Sequence, residues 1–205
     1  MRRPTSPRAG FTLIEMLAVI LILSILMGVL LTSMFGARQT ANEQLTLARI
    51  SNIEAVLGNY EGNEGDYPPS HLDDALSGSG EAMNSGIEAL VRTIFAPPFH
   101  GLGLKEDMLG NADGDSFGGA QLFELVDLWD NPIAYFRRSD YGKTQTYLTL
   151  DGETGAEIEN LVEARKSPKT GRWSNPQSFQ LISAGIDGRF GTDDDLGNFE
   201  MPEAE

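Results

Sequence analysis

Two groups of carboxylates carry the chemistry this sequence can do. The first lies near the C-terminal end, where Ser183-Ala184-Gly185-Ile186-Asp187-Gly188-Arg189-Phe190-Gly191-Thr192 leads into Asp193-Asp194-Asp195 and then Leu196-Gly197-Asn198-Phe199. Three adjacent carboxylates repel one another, and Asp187 can fold back toward them across the glycines. A hard cation with roughly six to eight oxygen ligands suits such a set, and a long loop suits calcium better than the strict octahedron of magnesium. Arg189 inside the turn is the competing counter-charge. The second group is one residue, Glu15, the only charge in the 21 residues from Phe11 to Leu31. A carboxylate inside an apolar helix costs roughly 3 kcal/mol or more in lipid, so Glu15 needs a partner.

A third acidic run, Asn111-Ala112-Asp113-Gly114-Asp115, places oxygen ligands at alternate positions in the manner of an EF-hand loop. The sixth position is Ser116 rather than glycine and the twelfth is Leu122 rather than glutamate, so a turn held by local Asx hydrogen bonds is the expected structure and a second ion stays an open question. His71 and His100, the two histidines, both follow prolines in loop-like stretches. No nucleophile elbow, phosphate-loop lysine or zinc-ligand spacing accompanies them, so no enzyme is expected.

The elements that must position these groups begin with the apolar run. A helix of roughly 20 residues spans a hydrocarbon core, and Phe11–Leu31 meets that length. Arg2, Arg3 and Arg8 precede it without an acidic residue among them, which predicts a cytoplasmic N-terminus and a single pass placing the rest across the membrane. No proline occurs between Pro7 and Pro68, and Leu47, Ile50, Ile53, Leu57 and Tyr60 keep helical spacing. The pattern predicts one helix to about Tyr60 that lays an apolar stripe on a head, with Gly28 and Gly36 as its weakest points. Two helices joined near Gly36 are the other arrangement the pattern permits. The cluster Asn59 to Pro69 must end the helix, and Ser77-Gly78-Ser79-Gly80 reads as a flexible link. Strands are expected over Leu122–Leu125, Ile133–Phe136, Thr144–Leu150 and Phe179–Ile182, giving an α+β head. The segment from Arg137 to Gln177 is the least informative, with a charged stretch from Glu153 to Arg165 that suits a short helix.

Composition narrows the function classes. The chain has 205 residues with 15 Lys+Arg against 30 Asp+Glu, a formal net charge of −15. So acidic a chain argues against sequence-independent nucleic-acid binding, which depends on neutralising phosphates. It has no cysteine, so stability must come from a core, from assembly or from an oxygen-ligated metal. No internal repeat or long low-complexity run is present.

Gly10 followed by Phe11-Thr12-Leu13-Ile14-Glu15 resembles the processing site of type IV pilins and type II secretion pseudopilins. The resemblance implies cleavage between Gly10 and Phe11 by a prepilin peptidase and methylation of the new Phe11 amine. It also implies that Glu15 of one subunit neutralises the Phe11 amine of a neighbour in a filament. Opposite charges at about 4 Å attract by roughly 4 kcal/mol at an effective dielectric near 20, and desolvation offsets much of that, so the pair sets register more than stability. A signal anchor with a stray glutamate is the alternative. A secretory signal fits less well, because its cleavage site follows the apolar region.

Further along, Tyr60 through Tyr67-Pro68, the helix-like Ser85 to Val91, and Trp129-Asp130-Asn131-Pro132 resemble the major pseudopilins in turn. In that last block Asp130 stands where the family usually has glycine, which puts the turn geometry in question. Ser183 to Phe199 resembles the family's C-terminal calcium loop, which implies side-chain ligands from Asp187, Asp193, Asp194 and Asp195 and carbonyls from Ala184 and Arg189. The implied protein has a type IV pilin-like fold: a leader over 1–10, a transmembrane and assembly half-helix over 11–35, and a periplasmic head over 36–205 with a small antiparallel sheet and a metal-binding loop. It would sit in the inner membrane as a subunit of a homo-polymer that supports protein export. Its partners would be the prepilin peptidase, minor pseudopilins and the inner-membrane assembly platform. A type IV or minor pilin, and a membrane-tethered calcium sensor that never polymerises, are the alternatives.

Overall fold

The computed structural model describes residues 11–72, 83–117 and 120–200. Gly10, Arg2, Arg3, Arg8 and the Ser77 to Gly80 link lie outside the described residues. The chain divides into two compact units, one ending at Ala41 and one beginning at Asn42. Helix α1, Leu13–Glu64, contributes to both and is helical through Gly28 and Gly36. In the first unit it is long and apolar enough to cross a membrane, and its most apolar 18-residue window, of mean hydropathy 2.8, buries nothing within the chain. Its C-terminal end is closed by Gly65, whose φ of 80° lets its amide donate back to the Glu61 carbonyl at 2.8 Å.

The second unit is an α+β head. Here α1 buries Ile50, Ile53, Val56 and Leu57 on one side, the stripe that the helical spacing predicts. Helix α2, Ser85–Phe95, buries Ile87, Leu90, Val91 and Ile94 in the same core. All described strand pairs are antiparallel. Strands β1 (Leu109–Gly110) and β4 (Glu124–Leu125) pair, as do β2 (Ser116–Phe117) and β3 (Ala120–Gln121). Strand β8 (Phe179–Ser183) lies between β5 (Ala134–Arg137) and β9 (Leu196–Gly197). Strands β6 (Gln145–Leu150) and β7 (Glu157–Val162) form a hairpin.

That hairpin corrects the expected helix in the charged stretch after Glu153. Side chains at Glu157, Glu159 and Leu161 are exposed while Ile158, Asn160 and Val162 turn inward, a period of two that the many glutamates disguise. The turn before β5 also departs from expectation. Asp130 holds φ at 62°, the left-handed region where glycine is usual and aspartate is tolerated. Asp127 ties the turn together: one carboxylate oxygen accepts the Trp129 and Asn131 amides at 2.9 and 3.0 Å, and the other accepts the Ser183 hydroxyl at 2.6 Å. Burial pushes Asp127 up to about 6 against these donors. Arg49 of α1 then donates to the Val126 and Asp127 carbonyls at 2.8 and 3.0 Å, docking the turn on the helix.

Helix α2 meets β5 and β6 at Gly86. A Cβ there would lie 2.7 Å from the Tyr135 carbonyl and 2.6 Å from the Tyr147 hydroxyl, and would overlap Gln145 Oε1. Alanine improves helix propensity by roughly 1 kcal/mol, but overpacking costs about 1–3 kcal/mol. Gly86→Ala is therefore expected to lower the stability of the head by about 1–2 kcal/mol, read as a lower urea midpoint at unchanged slope.

Candidate functional site

At the N-terminal end the structure assigns Glu15 a local task that the spacing Thr12-x-x-Glu15 already encodes. Its carboxylate accepts the Thr12 amide at 2.8 Å and the Thr12 hydroxyl at 2.7 Å, and the Glu15 amide donates to that hydroxyl at 3.4 Å. This is a capping box, with Thr12 before the first turn and Glu15 three residues on. The reading of Glu15 as an assembly charge missed it, although the signal is local. Around it Phe11, Leu13 and Ile14 are 72 %, 83 % and 74 % exposed, and the apolar character runs round the whole helix. A helix apolar on every side finds its surroundings in lipid or among other helices.

At the other end the loop between β8 and β9 is held by its own aspartates. Asp194 accepts the Asp187 amide at 3.0 Å and the Thr192 hydroxyl at 2.5 Å. Asp187 accepts the Arg189 amide at 2.7 Å, and the Arg189 carbonyl oxygen lies 3.1 Å from the Thr192 hydroxyl oxygen. Asp195, almost fully buried, accepts the Gly191 amide at 2.9 Å and forms an ion pair with Arg165. Asp193 is exposed and Ala184 is fully buried. Arg189 turns out of the loop to Asp151, at 2.8 Å. That contact and the local amide and hydroxyl donors of Thr154 hold the Asp151 carboxyl well below the usual carboxylate range, the amide being the largest cause.

The β6–β7 segment, uninformative as sequence, frames this loop. Thr149 donates to the Gly188 carbonyl at 2.5 Å, Asn160 donates to the same oxygen at 3.4 Å, and the Gly152 amide donates to the Asp187 carbonyl at 3.4 Å. A Cβ on Gly152 would overlap the Ile186 carbonyl and one on Gly188 the Leu150 carbonyl. The donor set of the loop is all oxygen, and Asp195 Oδ1 is buried without a hydrogen-bond partner. Both features fit a hard cation. Asp195 and Asp194 are also satisfied in part by protein donors, so a cation here would enter a frame already braced by hydrogen bonds.

The comparisons with known proteins bear on the N-terminal motif and on the chain as a whole. The family described as the prokaryotic N-terminal methylation motif matches residues 5–31. The type II secretion system core protein G of Escherichia coli K12 is 25 % identical over 199 residues, covering 97 % of this chain and 96 % of that protein. The protein of the same name from Aeromonas hydrophila is 23 % identical over 198 residues, covering 96 % and 95 %. The competence protein ComGC of Halalkalibacterium halodurans is 36 % identical over 73 residues, 36 % of this chain and 71 % of that one. No solved structure matches significantly. The chain belongs to the pilin-like family that carries the N-terminal methylation motif. Within that family it is a major pseudopilin.

The Arg165–Asp195 pair provides a test of how the loop is held. Removing the cation leaves a buried carboxylate with the Gly191 amide as its one remaining protein donor. Breaking such a pair costs about 3 kcal/mol, the low end of the usual range because Arg165 is itself about one third exposed. Arg165→Met in calcium-free buffer is expected to lower the urea unfolding midpoint accordingly.

Proposed function

We propose that the chain is the main structural subunit of a type II secretion pseudopilus and that it supports protein export by polymerising through its N-terminal helix. The observation that carries this is the methylation motif set on a helix whose first half is apolar all round and uncovered by its own chain. A prepilin peptidase cuts between Gly10 and Phe11 and methylates the new amine. The subunit then sits in the inner membrane as a single pass, N-terminus cytoplasmic and head periplasmic, in keeping with Arg2, Arg3 and Arg8 before the apolar run. Minor pseudopilins and the inner-membrane assembly platform are its further partners. The role is structural rather than catalytic, in line with relatives named as core components of a secretion system.

In the filament Glu15 meets the methylated Phe11 amine of a neighbouring subunit. Because the same carboxylate caps its own helix, alanine at this position would confound two roles. Glutamine keeps a capping box and loses the charge. Glu15→Gln is therefore expected to be cleaved and membrane-inserted like wild type yet to give no crosslinked oligomer ladder in cells that carry the secretion machinery. A wild-type ladder from this variant would remove the charge pairing.

The loop between β8 and β9 takes calcium. Asp187, Asp193, Asp194 and Asp195 supply carboxylate oxygens, and Ala184 and Arg189 supply carbonyls, the buried Asp195 Oδ1 being the atom that most needs a cation. The ion would supply positive charge to the four adjoining aspartates and fix the loop against β6. Millimolar calcium is expected to raise the melting temperature of the purified protein, and Asp187→Ala to shrink that rise. Equal rises in both proteins would remove Asp187 from the ligand set.

A further inference from the structure

A second set of acidic side chains gathers at the opposite end of α2 from its C-terminus, from elements far apart in sequence. Oxygens of Glu88 in the first turn of α2, Asp113 in the turn between β1 and β2, and Glu124 on β4 lie within 4.8 Å of one another. Glu88 is 1 % exposed, and neither of its carboxylate oxygens has a hydrogen-bond partner. Asp115 Oδ1 and Asn111 Oδ1 are also buried and without a partner. The ion pairs of Arg137, Lys143, Arg165, Lys169 and Arg189 all go to other carboxylates, and the stretch 73–82 contains no basic residue.

The surroundings aim these oxygens rather than neutralise them. Asn84 donates to one oxygen of Glu124 at 3.0 Å, the Ala112 amide donates to the other at 3.1 Å, and each oxygen keeps a second lone pair. Asn84 is itself fixed, its side-chain carbonyl accepting the Leu148 amide at 3.0 Å. The Asn111 amide group donates to the Asp115 carbonyl at 3.1 Å, and its Oδ1 is buried without a partner. The Asp115 amide donates to Asp113 at 3.3 Å. Burial first, and then the neighbouring carboxylates, push Glu88 up to about 9, and burial followed by Asp113 pushes Glu124 up to about 7. Asp113 and Asp115 are raised as well, chiefly by burial. All four groups thus sit where a cation would relieve them.

We propose that Glu88, Asn111, Asp113, Asp115 and Glu124 form a calcium site in the head, separate from the loop between β8 and β9. The donors are all oxygen, with no histidine or cysteine among them, which selects a hard cation over zinc or copper. Glu88, Asp113 and Glu124 converge with two free oxygens on Glu88 alone, and the unpartnered oxygens of Asp115 and Asn111, from the same turn as Asp113, would complete the crowded shell of calcium. Magnesium keeps several of its waters and demands a strict octahedron, which a buried cluster of side chains does not provide. The ion joins the start of α2, β4 and the Asn111 to Asp115 turn through carboxyl groups that are otherwise crowded against one another. The site does not depend on the reading of the C-terminal loop, because the two share no ligand.

The test is a count of bound calcium on the full-length protein in detergent, by equilibrium dialysis after chelator treatment, with melting temperatures in chelator and in millimolar calcium. Glu88→Gln keeps the shape and removes the buried ionisable group. In chelator it is expected to melt at or above the wild-type temperature, and in calcium to bind one ion fewer and rise less. Asp113→Asn, which lies in a half-exposed turn, is expected to lose the same ion, so the result does not rest on one variant folding. Asp187→Ala is expected to keep that ion whether or not the C-terminal loop binds its own. Wild-type stoichiometry in both Glu88→Gln and Asp113→Asn overturns the proposal. So does a wild-type protein that binds no calcium, or a folded Asp187→Ala protein that binds none.

Discussion

From Leu13 to Leu30 the side chains of α1 are covered by none of the described residues, whereas from Thr46 onward the same helix buries Thr46, Ile50, Ile53, Val56 and Leu57 almost completely. The change of pattern within one helix is the constraint on which the rest depends. Burying an aliphatic side chain contributes roughly 1.5–3 kcal/mol, so the second stretch gains enough from the head to fix which side faces inward. The first stretch gains nothing comparable from its own chain and must be covered from outside, first by lipid and then by other copies. Water is the one surrounding it does not tolerate, and the processing motif stands at its start.

Charge within the head follows a second rule. The chain carries twice as many acidic as basic residues, and the head resolves its buried carboxylates in three ways. Asp127 receives backbone and hydroxyl donors and closes a turn. Asp140 receives the Lys143 ammonium at 2.6 Å and the Ser70 hydroxyl at 2.7 Å, which together outweigh its burial and hold it below the usual carboxylate range. Glu88 receives neither. The difference is one of provision rather than of burial, since all three side chains are nearly inaccessible. A carboxylate left so among others of its kind calls for a counter-ion from outside the chain.

What could be read from sequence was what is periodic or local. The α1 stripe, strands β4, β5, β6 and β8, and the closing turn after Tyr60 follow from spacing and from glycine and proline. The departure at Asp130 was visible as a residue, and its resolution required only the known tolerance of aspartate for a left-handed backbone. The β6–β7 hairpin was not legible, because glutamates at its exposed positions imitate a solvated helix and because its inward Asn160 is polar. The Glu88 cluster was hidden for another reason. Its members come from a helix, a turn and a strand, and only the fold brings them together; the Asn111 to Asp115 run taken alone fails the EF-hand pattern. The capping role of Glu15, by contrast, lay in plain view within four residues.

The hairpin also changes how the C-terminal loop is to be understood. A glycine-rich acidic loop that stood alone would need its cation to acquire a shape. Here Thr149, Gly152 and Asn160 already hold the Asp187 and Gly188 carbonyls, and Arg165, which follows the hairpin, already holds Asp195. Glycine is required at 152 and 188 because the two backbones touch. Calcium at this loop would therefore adjust a preformed frame, and the gain in stability per ion would be modest. At the Glu88 cluster neither Glu88 oxygen has a hydrogen-bond partner, so calcium bound there would contribute more to the stability of the head.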